Sequence, residues 1–299
     1  MCTSEVPIRI VYKPSFKLAS QAITPLGLHH SFSHTRSLGT KPGRQNRVES
    51  DVIPLGNHNP LVAVVDVELL AQGNPDDTAR LGECLRDRDR TTIIYTSGTR
   101  SLNAIRVSES VLQLPPADAV ICDAGASVDS RTEHPEIAEL DKTLASKWIG
   151  TDVVRKRLRN ICHLVGEHSY ESARRFSCFP YKGVSVSDAK AAIDKECVGI
   201  DLDVSIAAGD RIDISPPGVD TASTLMRLLD IINAHPMWTV VAGHLLGEGL
   251  IAKAGCWGIV TGEIKPSVKA SLVHYPRVHF TDAEGPSGIR IGLEEFGLL

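Results

Sequence analysis

The chain changes character near residue 60. From Leu61 onward, short apolar runs alternate with stretches in which apolar residues recur every three or four positions. The first pattern marks strands buried on both faces and the second marks amphipathic helices. Residues 61–65 (LVAVV) predict a strand, 76–88 a helix, 92–95 (TIIY) a strand, 102–112 a helix, and 119–122 (AVIC) a third strand that runs into 123–125. The alternation returns later with a helix over 221–232, a strand over 238–242, a short helix over 247–254 and a strand over 257–260; residues 285–299 fit either a terminal strand or a helix. Such βα alternation predicts an α/β fold with a mainly parallel sheet, whose ligand crevice lies at the carboxyl ends of the strands.

Two segments interrupt this pattern. Residues 148–215 read as an α+β insertion, with a basic helix over 153–164, a strand over 174–179 and a helix over 187–196. The expected organisation is therefore a core of 61–147 and 216–299 split by a cap of 148–215. Residues 1–60 are rich in Pro, Ser, His, Arg and Lys, show little periodicity, and predict a poorly ordered extension. The lack of acids between Arg9 and Arg47 suits an organellar transit peptide, and Glu5 counts against one. The expected location is cytoplasmic, with organellar import by this extension left open.

Composition narrows the function classes. A formal net charge of −4 over 299 residues gives no general attraction for nucleic acid or anionic membrane. No apolar run approaches the roughly 18 residues that span a bilayer. Seven scattered cysteines without a C-x-x-C pair predict free thiols. The expected ligand is a small molecule.

The chemistry concentrates at strand ends. The first strand closes on Asp66 with Glu68 two residues later. One carboxylate can attack phosphorus to give an acyl-phosphate while the other protonates the leaving oxygen and a metal ion offsets phosphate charge. An Asp after a strand is also a common helix cap. The second strand ends in Ser97-Gly98 before a helix, a natural cradle of hydroxyl and backbone N–H groups for phosphate, and equally an ordinary turn with a cap.

Together, VVDVE at 64–68, YTSGTRSL at 95–102, PADAVICDAGASV at 116–128, PPGVDTASTLMRLL at 216–229, VVAGHLLGEGL at 240–250 and GCWGIV at 255–260 resemble the haloacid-dehalogenase (HAD) superfamily. The likeness is to its sucrose-phosphate-phosphatase-like and glucosylglycerol-phosphate-phosphatase-like members. It implies a Rossmann-like core with a C2-type cap and hydrolysis of a sugar phosphate through an aspartyl-phosphate. By the same resemblance, Asp66 is the nucleophile, Glu68 the general acid, and Ser97, Gly98 and Thr221 bind phosphate. Asp66, Glu68, His244 and Glu248 then hold Mg2+, or another divalent metal because of His244. Arg174, Arg175 and Lys182 of the cap are candidate substrate contacts.

Several positions depart from the family pattern. Glu68 is one methylene longer than the family's Asp, Thr99 lengthens the phosphate loop, Thr221 replaces a lysine, and His244 and Gly247 replace an acid and an asparagine. These changes keep a second reading open: a pseudophosphatase that binds a sugar phosphate, or a glycosyltransferase partner, without turnover.

Overall fold

The computed structural model describes residues 61–71, 73–87, 90–98, 100–167, 173–206, 210–243, 255–262, 264 and 266–299. The expected extension over 1–60, the expected helix over 247–254, and Thr99, His244, Gly247 and Glu248 lie outside them.

The central sheet has seven strands in the order β11-β10-β9-β1-β2-β3-β4. These are β1 (Leu61–Asp66), β2 (Thr91–Thr96), β3 (Ala119–Cys122), β4 (Ser127–Ser130), β9 (Thr239–Gly243), β10 (Trp257–Thr261) and β11 (Val278–Thr281). Every pairing is parallel except the β3–β4 hairpin. Alternation along the strands divides their side chains between two apolar layers. Leu61, Ala63, Val65, Ile93 and Tyr95 pack on one face with Leu81 and Leu85 of α2 (Pro75–Asp87). Val62, Val64 and Ile94 pack on the other with Ile137, Leu140 and Leu144 of α4 (Pro135–Ser146) and with Leu225 and Leu228 of α7 (Thr221–Ile231). A sheet covered on both faces explains the unbroken apolar runs.

Tyr95 shows how this core treats a polar atom. Its ring is fully buried and its hydroxyl donates to the Pro115 carbonyl at 2.9 Å. Tyr95→Phe strands that carbonyl, so chemical denaturation should register a loss of about 1–2 kcal/mol. A loss below about 0.3 kcal/mol would mean that Pro115 finds another donor.

The second sheet is antiparallel, in the order β5-β6-β8-β7: β5 (Val165–Glu167), β6 (Phe176–Pro180), β7 (Asp203–Ile206) and β8 (Ile212–Ser215). Its apolar face, with Phe176, Cys178, Ile212 and Ile214, packs on Val154 and Leu158 of α5 (Thr151–Leu158) and on Ala189 and Ile193 of α6 (Val186–Glu196). The opposite face takes the intervening positions Arg175, Ser177, Arg211 and Asp213. The whole is a mixed α/β structure with a mainly parallel sheet and an added antiparallel one.

Two expectations are refined, and one helix is added. The basic helix expected over 153–164 ends at Leu158 and tightens into a 3-10 turn over Arg159–Ile161, which brings Ile161 into the cap core. The stretch left open between strand and helix is α9 (Gly285–Glu295), following α8 (Pro266–Leu272). It is helical despite its glycines because a Cβ at Gly292 would lie 2.5 Å from the Ile259 side chain, so glycine lets the helix sit down on β10. Helix α4 was not anticipated, although Pro135 at its start and Ile137, Leu140 and Leu144 at helical spacing are a recognisable signal. No disulfide joins two of the described cysteines, and burial pushes the thiols of Cys122, Cys178 and Cys256 up to about 12. Among the described residues no helix is long and apolar enough to cross a membrane.

Candidate active site

The sheet reverses its direction of growth at β1, which has β2 on one side and β9 on the other. A crevice opens at the carboxyl edge of such a point because the connections on either side leave in opposite directions. The residues at that edge are Asp66 at the end of β1, Ser97 just past β2, and Asp123 just past β3.

Asp66 ends its strand in an extended conformation and caps α1 (Val67–Leu70), its carboxylate accepting from the Glu68 backbone N–H at 2.9 Å. That cap turns the chain so that Glu68, two residues on, comes back over the strand end. Ser97 is buried and meets it there. Its Oγ donates to Glu68 Oε1 at 2.5 Å and accepts the Arg100 backbone N–H at 2.7 Å, while its own N–H donates to the Ile121 carbonyl at 2.9 Å. The three side chains that the sequence proposed for the chemistry therefore converge. Burial, and then the adjacent Glu68 carboxyl, hold the Asp66 carboxyl far above the ordinary carboxylate range. Two acids crowded together in a desolvated crevice retain a proton because both cannot ionise there without a compensating cation.

The same two acids bear on the metal that the fold implies. Two carboxyls whose repulsion a cation would relieve are hard oxygen donors suited to magnesium, and the residues present fit it. Among the described residues no cluster of three or more His, Cys, Asp or Glu forms a metal site. The remaining proposed donors, His244 and Glu248, follow Gly243, the last residue of β9. That strand is in register with β1 through Val65 and Ala242.

Other proposed residues are placed differently. At Gly98 a side chain would project into space where no described residue lies within 4 Å. Thr221 is the first residue of α7, whose start is closed by a reciprocal cap: Asp220 Oδ1 accepts from the Ser223 N–H at 2.6 Å, and Ser223 Oγ accepts from the Asp220 N–H at 3.1 Å. The Arg100 guanidinium turns along α3 (Leu102–Val111) to Ser108 Oγ at 2.7 Å. Arg174 and Arg175 reach from the cap into the core. Arg174 makes a two-pronged bond to Asp141 of α4 at 2.6 and 2.8 Å and also bonds the Ala126 carbonyl; Arg175 donates to the Gly98 carbonyl. Lys182 is exposed just beyond the end of β6 opposite Arg175.

Asp123 escaped the sequence reading. It is buried, sits in a left-handed conformation with Ala124 and Gly125, and accepts from Ser127 Oγ at 3.2 Å; its Oδ1 has no hydrogen-bond partner among the described residues. The signal was present as an acid directly after a buried strand.

A family model described as Sucrose-6F-phosphate phosphohydrolase matches residues 58–297. The chain belongs to that family. Its likeness to solved structures carries the fold alone. A sucrose-phosphatase from Synechocystis, solved in complex with sucrose and phosphate, aligns with a TM-score of 0.66 at 16% identity, over 80% of this chain and 98% of that one. A haloacid dehalogenase-like hydrolase from Bacillus subtilis aligns at 0.55 and 14% identity, over 82% and 95%. A Thermoplasma acidophilum protein aligns at 0.54 and 13%, over 81% and 100%. Among curated proteins none matches the sequence significantly. The family assignment accords with the HAD resemblance read from the motifs, and the cap sheet stands where a HAD-like fold carries its cap.

Proposed function

We propose that this protein is a sugar-phosphate phosphohydrolase working through an aspartyl-phosphate on Asp66. The observation that carries the reading is the convergence of Asp66, Glu68 and Ser97 at the reversal point of the sheet. An Asp66 oxygen attacks phosphorus, the bond from phosphorus to the sugar oxygen breaks, and that oxygen takes its proton from the Glu68 carboxyl. In the second half, Glu68, now ionised, removes a proton from water as the water attacks phosphorus, and the bond to Asp66 breaks to release inorganic phosphate. Ser97 Oγ, held by Arg100 N–H, offers its hydroxyl to the transferring group. Asp66 and Glu68, with His244 and Glu248, would hold magnesium or another divalent ion, which supplies neutralisation of phosphate charge. The core is framed as 61–147 and 216–299 and the cap as 148–215, the cap covering the crevice and choosing the sugar.

Thr221 favours a second reading. Position 221 brings no cation to a site that must hold a dianion, and preorganised charge of that kind is worth several kcal/mol in a transition state. A pseudophosphatase that binds a sugar phosphate without turnover is therefore the alternative; the described residues give no reason to prefer a glycosyltransferase as its partner.

Phosphate release from sucrose phosphate, other sugar phosphates and an aryl phosphate, with magnesium, manganese or cobalt, separates the two. Metal-dependent release that prefers sugar phosphates is expected. Absence of release with every combination, from a folded protein whose melting temperature still rises with sucrose phosphate, identifies the pseudophosphatase.

A further inference from the structure

The polar face of the cap sheet has a definite composition. Ser177 and Asp213 are cross-strand partners on β6 and β8, and Ser177 Oγ donates to Asp213 Oδ1 at 2.7 Å. Arg211 grips the same carboxylate from both sides, through Nε at 2.9 Å and Nη2 at 2.8 Å. Arg175 stands farther from it, at 3.6 Å, with its side chain only 1% exposed. The donated hydrogen bond from Arg175 crosses to the core and ends on the Gly98 carbonyl, in the loop that begins with Ser97. Asp213 is thus held most closely by Arg211, and Arg175, ion-paired with it at longer range, also bonds the loop.

We infer that Arg175 is a positioning residue of the phosphate site: it orients the Ser97–Gly98 turn through the Gly98 carbonyl and supplies the positive charge that Thr221 does not. This rests on the proposed function. A dianionic phosphoryl group brought to Asp66 meets an acid pair. Arg100 spends its guanidinium on Ser108, and α7 opens with uncharged Thr221. A purely mechanical role for Arg175 as a cap fastener is the competing account, but Arg174 already fastens the cap to α4 through Asp141. A buried guanidinium is costly to desolvate, and a cation placed against an anion site gains from the low dielectric that makes it costly.

The test uses the full chain, with inorganic phosphate as the probe and sucrose phosphate as substrate. Arg175→Met should lower kcat/KM by about 10²–10³-fold, the usual effect of removing one preorganised charge or donor, and should abolish the rise in melting temperature produced by millimolar phosphate. Arg175→Lys, which keeps the charge and loses the fork, should retain the phosphate-induced rise. Thr221→Lys added to Arg175→Met should recover about tenfold or more of the activity and restore the rise, which a fastener could not do. Should Arg175→Met fail to fold, Arg175→Lys with and without Thr221→Lys carries the comparison, the added lysine expected to raise phosphate affinity. Unchanged phosphate binding in Arg175→Met, or loss without rescue by Thr221→Lys, overturns the inference. If the wild type hydrolyses nothing but binds phosphate through Arg175, the inference stands and the hydrolytic reading falls. If it binds no phosphate, both fall.

Discussion

Asp66→Asn should lower phosphate release by about 10³-fold or more while leaving the protein folded, the loss expected when a covalent nucleophile is removed. The substitution is informative because of what it preserves. Asn keeps an oxygen at the position that accepts the Glu68 N–H, so the cap of α1 and the turn that brings Glu68 to Ser97 persist. What disappears is the carboxylate able to form an acyl-phosphate. Burial disfavours ionisation of Asp66 in the free protein, so an uncharged amide there should leave the melting temperature unchanged or raise it. Steady-state phosphate release and thermal unfolding on the same preparation decide the matter. Activity above a tenth of wild type would assign the attack on phosphorus to another group, and activity lost together with the fold would show Asp66 to be mainly a helix cap.

Gly125→Ala should be among the most damaging single-methyl changes in the chain. Gly125 has φ +100, and a Cβ there would lie 2.3 Å from the Asp220 carbonyl carbon, 2.4 Å from its oxygen and 2.6 Å from the Thr221 nitrogen. The obstacle is backbone, so no side-chain rotation relieves it. Left-handed backbone in a non-glycine residue costs about 1–3 kcal/mol, and here displacement of α7, whose Thr224 hydroxyl donates to the Gly125 carbonyl at 2.7 Å, adds to it. A total near 3 kcal/mol corresponds to a melting temperature lower by about 6–12 °C for a domain of this size. Gly98→Ala is the matched control, since its Cβ meets no described residue within 4 Å and should leave the melting temperature within about 2 °C. Equal shifts in the two variants would show that the turn over Asp123–Gly125 yields without disturbing α7. The close approach matters for the candidate site because that turn is tied to the Ser97–Gly98 segment, with the Ala124 N–H donating to the Ser97 carbonyl at 3.4 Å.

Much of this architecture can be read from the chain. Strands β1, β2, β3, β9 and β10 announce themselves because a strand covered on both faces must be apolar at nearly every position. Helices α2, α3, α6 and α7 show because one buried stripe repeats at helical spacing. Part of what escaped has weak local signal. Strand β7, DVSI, is mostly exposed, so nothing in its composition separates it from a loop; β4, SVDS, is a sheet edge with one apolar residue. Helix α5 gives way to a 3-10 turn at Arg159, and the exposed basic residues before it carry no periodicity that marks the change.

The sequence by itself determined the α/β alternation and the positions of Asp66, Glu68 and Ser97 as polar residues at strand ends, since strand burial and strand termination are local properties of composition. Only the tertiary structure decided that Ser97 meets Glu68 across 29 positions and that Arg175 reaches Gly98 across 77, while neighbouring Arg174 is taken by Asp141 across 33. Two arginines and a lysine of the cap that read alike as exposed cations thus part company: Arg174 is held by Asp141, Arg175 bonds the Gly98 carbonyl, and Lys182 stays in solvent. The physical reason is that a charged side chain carries no local preference for its partner; which carboxylate or carbonyl it finds depends on how two sheets, built separately in sequence, are laid against each other.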